Sequence, residues 1–452
     1  MMKRTKPIAA ALAALTAAAS VASGQDLRPK APPHTGTTVI TGATVHTVSG
    51  ETIENGVIVI AEDRFGPVGG ANILSMISFP EDARFIDATG MDAYPGLIAT
   101  STRLGLTEVS NVQVTNDFNE FGDITPEVRV VVAINPDSTL FPVARAGGVL
   151  LAGVFPARGT MPGRPALVQL DGWTWEDMAV DPDLGTVIDW PRARPRRDPL
   201  TGKPNAEDAS ALKNTRAEID ALFDDAEAYD LAISENRLSQ RDLRLDALLP
   251  IVRGEDPLWI AADEHDQIVE AIDWTSERGY RMVLVGGRDA ELSAPRLISR
   301  DIHVVVTGVH RFPKRADLPH DHAFTLPARL LAAGVQVSLS PSDVDGNVRN
   351  LSHEAALAAR YGLTRAQAIR AVTLSPAETL GIAEHYGSIE SGKSATLILT
   401  DGDLLEITSR VAHAFIDGRE IDLTSKQTEL RDKYREKYRQ IGIIENDSAD
   451  GE

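Results

Sequence analysis

The sequence predicts an α/β protein: a barrel of parallel strands joined by helices, with a smaller β-domain beside it. Three observations support this prediction. The chain has 452 residues, 43% of them hydrophobic and 24% charged, which is enough for one large barrel and a second domain. After Tyr94, apolar runs alternate with helical patterns, as in parallel sheets with helical crossovers. Before residue 88, short β-rich runs are separated by Gly, Asn and Asp, which is typical of antiparallel hairpins.

The beginning of the chain has the pattern of an export signal. Three basic residues, Lys3, Arg4 and Lys6, precede an apolar, alanine-rich run over 8–22, and small residues follow. We predict cleavage near Gly24 and a periplasmic or secreted protein without a membrane anchor. A retained anchor is the alternative, although the run is short for a membrane span. The chain has no Cys, so disulfides, thiolate ligands and a lipid-modified cysteine are excluded.

The net charge of the chain restricts the kinds of molecule that it can bind. The formal net charge of the chain is −20, and removing the three signal cations leaves −23, because residues 1–24 contain no acids. A strongly acidic protein is repelled by the phosphate backbone, so we expect no nucleic-acid partner. A small-molecule ligand fits this composition better. The sequence does not indicate an oligomeric state.

Five apolar runs after Tyr94 are the predicted barrel strands. They occupy residues 147–155, 258–262, 282–287, 303–309 and 335–340. Helix signals follow the last of these runs. Capping boxes at 364–367 and 375–378 predict two helix N-termini, the second with proline at the first helical position.

The β pattern then returns at 394–400 and 410–421. These runs can pair with the N-terminal hairpins, so we predict one small β-sandwich domain built from both ends of the chain. A charged helix is expected to follow over 425–440. The predicted boundaries are 1–24 for the signal, 38–93 and 384–423 for the β-domain, 94–383 for the barrel, and 424–452 for the C-terminal helix and acidic tail.

Several motifs occur in an order that resembles a known family. They are FIDATGMDAYPGLIA (85–99), GLTEVSNVQVTNDFNEF (105–121), TPEVRVVVAINPDS (125–138), NVRNLSHEAALAARYGL (347–363) and LSPAETLGI (374–382). In this respect the chain is similar to the amidohydrolase superfamily, in particular to secreted amidohydrolase-like proteins related to imidazolonepropionases. The resemblance implies a metal-dependent-hydrolase-type TIM barrel, (β/α)8, with a composite β-domain. It also implies hydrolysis of non-peptide carbon–nitrogen bonds at a divalent metal.

The metal-ligand positions of that family carry other residues here. The family's first barrel strand ends D-x-H-x-H, whereas this chain has Ala99, Ser101 and Arg103 at those places. A serine hydroxyl is a poor zinc ligand, and a guanidinium has no lone pair to offer a cation. The resemblance places the histidines of strands five and six on Ala261 and Gly286.

Two further functional positions of the family, a lysine and an aspartate, align with this sequence less precisely. The family's lysine falls near Val187, and its strand-eight aspartate, a general base, falls on Ser342 or Asp343. We therefore predict that the usual metal site is absent and that no metal cofactor is bound there. If Asp343 is the remaining base, it lacks the metal-bound water that it would deprotonate.

An arginine inside a barrel needs a counter-charge, because an unpaired buried cation costs several kcal/mol. Strand alternation places Asp263 on the same face as Ala261, so Asp263 and Asp343 are the candidates. We hypothesise an arginine–carboxylate network at the former metal site. Two interpretations stay open: the network only fills the space, or Arg103 helps to bind an anionic, carboxylated ligand.

Three histidines offer an alternative site in the segment after the fourth of these runs. His310, His320 and His322 lie on the side of a barrel where active sites form. A displaced divalent metal such as zinc is one interpretation. Solvated or helix-capping roles before a helix at 324–333 are the other.

Two functions of different class follow. The first is an exported binding protein for a small molecule or a partner, without the usual metal-dependent catalysis. The second is an active hydrolase of cyclic amides or dipeptide-like substrates, using a displaced metal or an acid–base pair such as Asp343 with His310. The fold alone does not decide between them.

Overall fold

The computed structural model describes residues 25–198, 201–238, 240–342 and 345–444. The predicted signal at 1–24, the candidate base Asp343 and the tail at 445–452 lie outside the described residues. In these four ranges, no helix is both long and apolar enough to cross a bilayer.

Seventeen strands belong to the described part of the chain. They are β1 Thr37–His46, β2 Thr52–Ala61, β3 Arg64–Gly70, β4 Arg84–Asp87, β5 Asp92–Pro95, β6 Leu97–Thr102, β7 Val149–Val154, β8 Ala166–Gln169, β9 Ala179–Asp181, β10 Thr186–Asp189, β11 Leu258–Ala262, β12 Met282–Gly286, β13 Val304–Thr307, β14 Val337–Ser340, β15 Leu397–Thr400, β16 Val411–Ile416 and β17 Arg419–Glu420.

Thirteen α-helices accompany these strands in the same ranges. They are α1 Ile73–Met76, α2 Leu140–Ala146, α3 Trp175–Met178, α4 Ala206–Ser234, α5 Leu243–Asp246, α6 Leu249–Val252, α7 His265–Arg278, α8 Ala294–Ser299, α9 His322–Ala332, α10 Leu351–Arg360, α11 Arg365–Arg370, α12 Leu374–Thr379 and α13 Lys426–Gln440. Short 3₁₀ turns occupy Gln113–Thr115, Val130–Ala133, Ala290–Ser293 and Asp345–Asn350.

One sheet joins the two ends of the chain. Its order is β17-β16-β15-β5-β1-β2-β3, and β4 pairs with β1. The contact between the two ends is the antiparallel pairing of β15 with β5, in which Leu397 lies opposite Pro95. Alternate residues of these strands, such as Ile40, Ile58 and Leu397, form a separate apolar core. The sheet therefore depends on residues more than 300 positions apart.

The remaining strands form two sheets that share the main apolar core. Strands β10 to β14 lie side by side in chain order, and every pairing among them is parallel. Strands β6 and β7 are also parallel. Each of the five runs predicted as barrel strands contains one observed strand, namely β7, β11, β12, β13 and β14.

The alternation of strand and helix fails after β7. Strand β8 pairs with β7 antiparallel, and β9 pairs with β8 antiparallel. The connection over 155–165 contains no helix. A parallel return needs a crossover of about a dozen residues or more, usually helical, so this short connection favours the antiparallel pairing.

Of the helix N-termini predicted near residues 364, 375 and 425, two are correct and one is wrong. Thr364 caps α11 in the predicted capping box with Gln367, and Ser425 caps α13. The box predicted at 375–378 is not formed, because α12 begins earlier, at Leu374, and Glu378 instead pairs with Arg370 at 2.7 Å.

A buried group of charges ties the N-terminal segment to the rest of the protein. We call it the ion cluster: Asp26, Lys30, Arg145, Asp171 and Arg419. Asp26 accepts from Lys30 at 3.1 Å and from Arg145 at 3.4 Å. Asp171 accepts from Arg145 at 2.6 Å and from Arg419 at 2.9 Å. The ion cluster thus connects the N-terminal segment, helix α2, the end of β8 and strand β17.

Candidate functional site

A cavity of about 300 Å³ opens at the carboxyl ends of β6, β10 and β11. We call it the barrel-mouth cavity. Its polar side chains include Ser101, Arg103, Arg158 and Asp189, and its apolar wall includes Phe155, Trp259, Ala261 and Val285. Because the carboxyl ends of parallel strands meet at one edge, residues distant in sequence converge here.

Two arginines of this cavity share one aromatic ring. The guanidinium carbon of Arg103 lies 5.2 Å from the ring centroid of Phe118, and that of Arg158 lies 4.9 Å from it. Phe118 is only 5% exposed, so the ring is a fixed support. Cation–π contacts of this kind hold a guanidinium in place while leaving its N–H groups able to donate elsewhere.

Arg158 has an unusual backbone. Its φ is +67°, in the left-handed region that non-glycine residues rarely adopt. Such strain costs on the order of 1–3 kcal/mol and is concentrated at functional sites. The sequence analysis missed Arg158. Its position directly after a predicted barrel strand, where site residues are common, was the available signal.

Asp189 is the second residue that the sequence analysis missed. It ends β10 and lies opposite Ala261 of β11 in the parallel register. Within the described ranges, its carboxylate has neither a hydrogen-bond partner nor an ion-pair partner. Solvent reaches the side chain through the cavity, yet protein atoms surround it on most sides. This burial, reinforced by the acids Asp263 and Asp123, raises the pKa of Asp189 to about 6.

We expect Asp189→Asn to stabilise the protein more at about pH 7.5 than at about pH 4. The folded pKa of about 6 exceeds the unfolded value of about 3.9, so the folded state binds the extra proton between those values. The stability of the wild type therefore falls as the pH rises through this window, and asparagine removes that loss. Urea unfolding at several pH values measures the difference, with the exposed Asp82→Asn as control. A difference that does not change with pH contradicts the assignment.

Of the five positions predicted for the former metal site, three line the barrel-mouth cavity, and Asp263 and Gly286 do not. Ser101 and Ala261 line the barrel-mouth cavity together with Arg103. The backbone of Ser101 holds β14, since its N–H donates to Ser340 Oγ at 3.0 Å and its carbonyl accepts from that hydroxyl at 2.7 Å. Gly286 lies outside the lining, and a Cβ there would stand 2.8 Å from Asp263 Oδ1.

The predicted pairing of Arg103 with Asp263 is wrong. Asp263 pairs with Arg288, whose Nε lies 2.8 Å from Oδ2, and it lines a neighbouring cavity of about 470 Å³. Strand β11 ends at Ala262, so strand alternation no longer governs the direction of the next side chain. Asp343, the other proposed counter-charge, lies outside the described residues, and that half of the network stays a prediction.

The three histidines are placed apart from the barrel-mouth cavity. The ring of His310 packs against Phe324, with centroids 6.2 Å apart, and its backbone N–H donates to Glu354 at 2.8 Å. His322 begins α9, and its Nδ1 lies 3.2 Å from Arg329 Nη2. His320 is exposed. Across the part of the chain that the structure describes, no group of three or more His, Cys, Asp or Glu could hold a metal.

The donors of the barrel-mouth cavity do not fit the divalent metal that the family implies. Asp189 is the one carboxylate among the described lining residues, and two guanidiniums share the space with it. Catalytic zinc requires about three neutral or anionic protein ligands, whereas a guanidinium repels a cation. We therefore derive no chemical step through a metal at this position.

The parallel strands and the cavity at their carboxyl ends are those of a TIM-barrel-type α/β fold. Residues 194–424 match the model of the amidohydrolase family, and the chain belongs to that family, as its motifs predict.

Individual relatives agree with this assignment. The chain is 23% identical over 374 residues to amidohydrolase tasK of Hapsidospora irregularis, a match that covers 75% of this chain and 37% of that protein. The chain thus spans little more than a third of the curated relative. The crystal structure of an amidohydrolase from Thermotoga maritima MSB8 superposes with a TM-score of 0.74 at 24% identity, covering 85% of this chain and 99% of that one. The crystal structure of a prolidase in complex with N-methylphosphonate-L-proline superposes with a TM-score of 0.53 at 18% identity. The match covers 85% of this chain and 99% of the prolidase chain.

Proposed function

We propose that this amidohydrolase-family protein binds a small carboxylate-bearing molecule in the barrel-mouth cavity and does not use the family's metal-dependent hydrolysis. The observation that carries the proposal is the pair of guanidiniums, Arg103 and Arg158, over one buried ring, with Arg103 at a position where the resemblance places a metal ligand. A planar guanidinium matches a carboxylate with two parallel hydrogen bonds.

The size and walls of the cavity support a small ligand. Its volume of about 300 Å³ is at the lower end of the usual range for ligand pockets, about 300–1,000 Å³. Phe155, Trp259 and Val285 offer apolar contact to the rest of such a molecule. Within a partly enclosed site, charge attraction is stronger than in open water.

The metal-independent hydrolase alternative has less support from the described residues. His310, its proposed acid–base partner, does not line the barrel-mouth cavity, and its backbone and ring are engaged with Glu354 and Phe324. The cavity also contains no cysteine, because the chain has none. Binding without hydrolysis therefore remains our proposal.

We expect Arg103→Gln and Arg158→Gln each to weaken carboxylate binding at least about tenfold, because a charge-assisted hydrogen bond contributes about 1.5–3 kcal/mol. Isothermal titration with benzoate and with 4-methylpentanoate measures the affinities. Arg300→Gln is the matched control, since Arg300 is exposed and does not line the cavity. It should leave binding unchanged.

Two results would contradict the proposal. One is equal affinity in the wild type and both arginine variants. The other is turnover of a cyclic amide that requires a retained metal ion. Circular dichroism of each variant checks that it is folded, so that lost affinity is not the result of lost structure.

We also infer that the sheet of β6 to β9 and the sheet of β10 to β14 close into one barrel around this cavity. The Ser340 hydroxyl contacts the Ser101 backbone, which supports the approach of β14 to β6. Gly163 bridges to Val187, which supports the approach of the segment before β8 to β10. Closure on both sides would make the cavity the mouth of a single barrel.

A further inference from the structure

We infer that Asp189 selects, within the carboxylate ligand proposed above, for a positively charged nitrogen, so that the ligand is a small zwitterion of the amino-acid type. This inference rests on the proposed function, because it concerns the same cavity. It adds a second point of recognition that the arginine pair cannot supply.

The barrel-mouth cavity contains side chains of both charge signs that do not pair with each other. Asp189 lines the same space of about 300 Å³ as Arg103 and Arg158. Within the described residues, neither arginine comes within ion-pairing distance of the Asp189 carboxylate. One ligand in this cavity can therefore meet both a carboxylate and a guanidinium.

Backbone hydrogen bonds fix the position of Asp189. Its N–H donates to the Thr160 carbonyl at 2.9 Å, and the next N–H, of Trp190, donates to the Ala261 carbonyl at 3.0 Å. Trp190 itself is buried against Trp274, with ring centroids 5.2 Å apart. These hydrogen bonds fix the backbone of Asp189 at the end of β10.

The Asp189 carboxylate lacks a counter-charge among the described residues. Although Asp189 is exposed to the cavity, its carboxylate is partly desolvated, and this desolvation together with the neighbouring acids Asp263 and Asp123 raises the pKa of Asp189. Asp263 pairs with Arg288, and the Asp123 carboxylate accepts from the Thr160 hydroxyl at 2.6 Å and from the Thr160 N–H at 3.1 Å. An ammonium group on the ligand would supply the missing counter-charge directly.

The apolar wall indicates the remainder of the ligand. The lining of the same cavity also includes the aromatic and aliphatic side chains of Phe155, Trp259 and Val285. The rings of Phe155 and Trp259 pack nearly perpendicular to each other, with centroids 5.0 Å apart, which gives a rigid surface. A branched apolar side chain on the carbon that carries the carboxylate and the ammonium, as in leucine, can contact such a wall.

Three probes with related carbon skeletons test the inference by isothermal titration. L-Leucine carries both charges, 4-methylpentanoate lacks the ammonium group, and 3-methylbutylamine lacks the carboxylate. We expect the wild type to bind leucine at least about tenfold more tightly than 4-methylpentanoate, since the ammonium group adds a charge-assisted hydrogen bond to Asp189. Asp189→Asn should remove most of that preference and leave 4-methylpentanoate binding as tight or tighter. Asp82→Asn, an exposed acid outside the cavity, is the control.

The outcomes separate the inference from the proposed function. If 4-methylpentanoate binds as tightly as leucine and Asp189→Asn changes neither, the inference is overturned, while binding that depends on Arg103 and Arg158 leaves the proposed function standing. If the wild type binds neither compound, both are overturned. Preferential binding of 3-methylbutylamine would also overturn both, because the arginines would then have no role.

Discussion

Replacing Asp171 with alanine is expected to lower the free energy of unfolding by about 3–5 kcal/mol, the effect of breaking a buried ion pair. Asp171 accepts from Arg145 at 2.6 Å and from Arg419 at 2.9 Å. The Arg145 side chain is only 2% exposed, so the substitution leaves a buried cation with one remaining acidic partner, Asp26, at 3.4 Å. Urea unfolding followed by circular dichroism measures the loss.

An exposed ion pair provides the matched control for this experiment. Asp273 pairs with Arg296, and about half of each side chain is exposed. Asp273→Ala should change the free energy of unfolding by no more than about 1 kcal/mol, because solvent screens such pairs. Equal effects of the two alanine substitutions would show that the ion cluster does not stabilise the fold as we describe.

Replacing Trp259 with alanine is expected to cost about 3–5 kcal/mol of stability, as for other buried aromatic side chains. Trp259 is 1% exposed, its ring meets Phe155 at 5.0 Å, and its indole N–H donates to the Leu184 carbonyl at 2.7 Å. Alanine removes the packing and leaves that carbonyl without its donor. Because Trp259 also lines the barrel-mouth cavity, we expect the affinity for 4-methylpentanoate to fall with it.

Two further substitutions make this second experiment decisive. Trp259→Phe keeps most of the packing and removes the hydrogen bond, so its cost should be closer to about 1–3 kcal/mol. Trp173→Ala removes a tryptophan that is 63% exposed, and should change stability by about 0.5 kcal/mol or less. A Trp259→Ala protein as stable as Trp173→Ala would contradict the packing role.

The outline of the fold was predictable because strand and helix patterns are local. Apolar runs of about five residues between helical segments predicted β11 to β14, and each of these strands is present. The antiparallel return at β8 was not predicted. Its cause is the length of one connection and the absence of a helix in it, which hydrophobic patterning does not report.

The candidate site was predictable only in part. Ser101, Arg103 and Ala261 were identified because a family motif and strand alternation both apply to them. Arg158 and Asp189 lie in a loop and at a strand end, and nothing in their immediate neighbours distinguishes them from other charged surface residues. The pairing of Asp263 with Arg288 depends on the course of the chain beyond the last strand residue.

The sequence by itself determined the family, the repeating parallel strands and the absence of imidazoles at the positions of the first and fifth strands, because these are properties of residue type and local spacing. Only the tertiary structure decided that Arg103 and Arg158 contact the same aromatic ring. It also decided that Asp189 has no partner among the described residues of that cavity. The ion cluster, which joins residues 26, 145, 171 and 419, is likewise visible only in the folded chain. The physical reason is that such contacts join segments more than a hundred residues apart, or side chains on different loops, and their distances are set by how the whole chain packs.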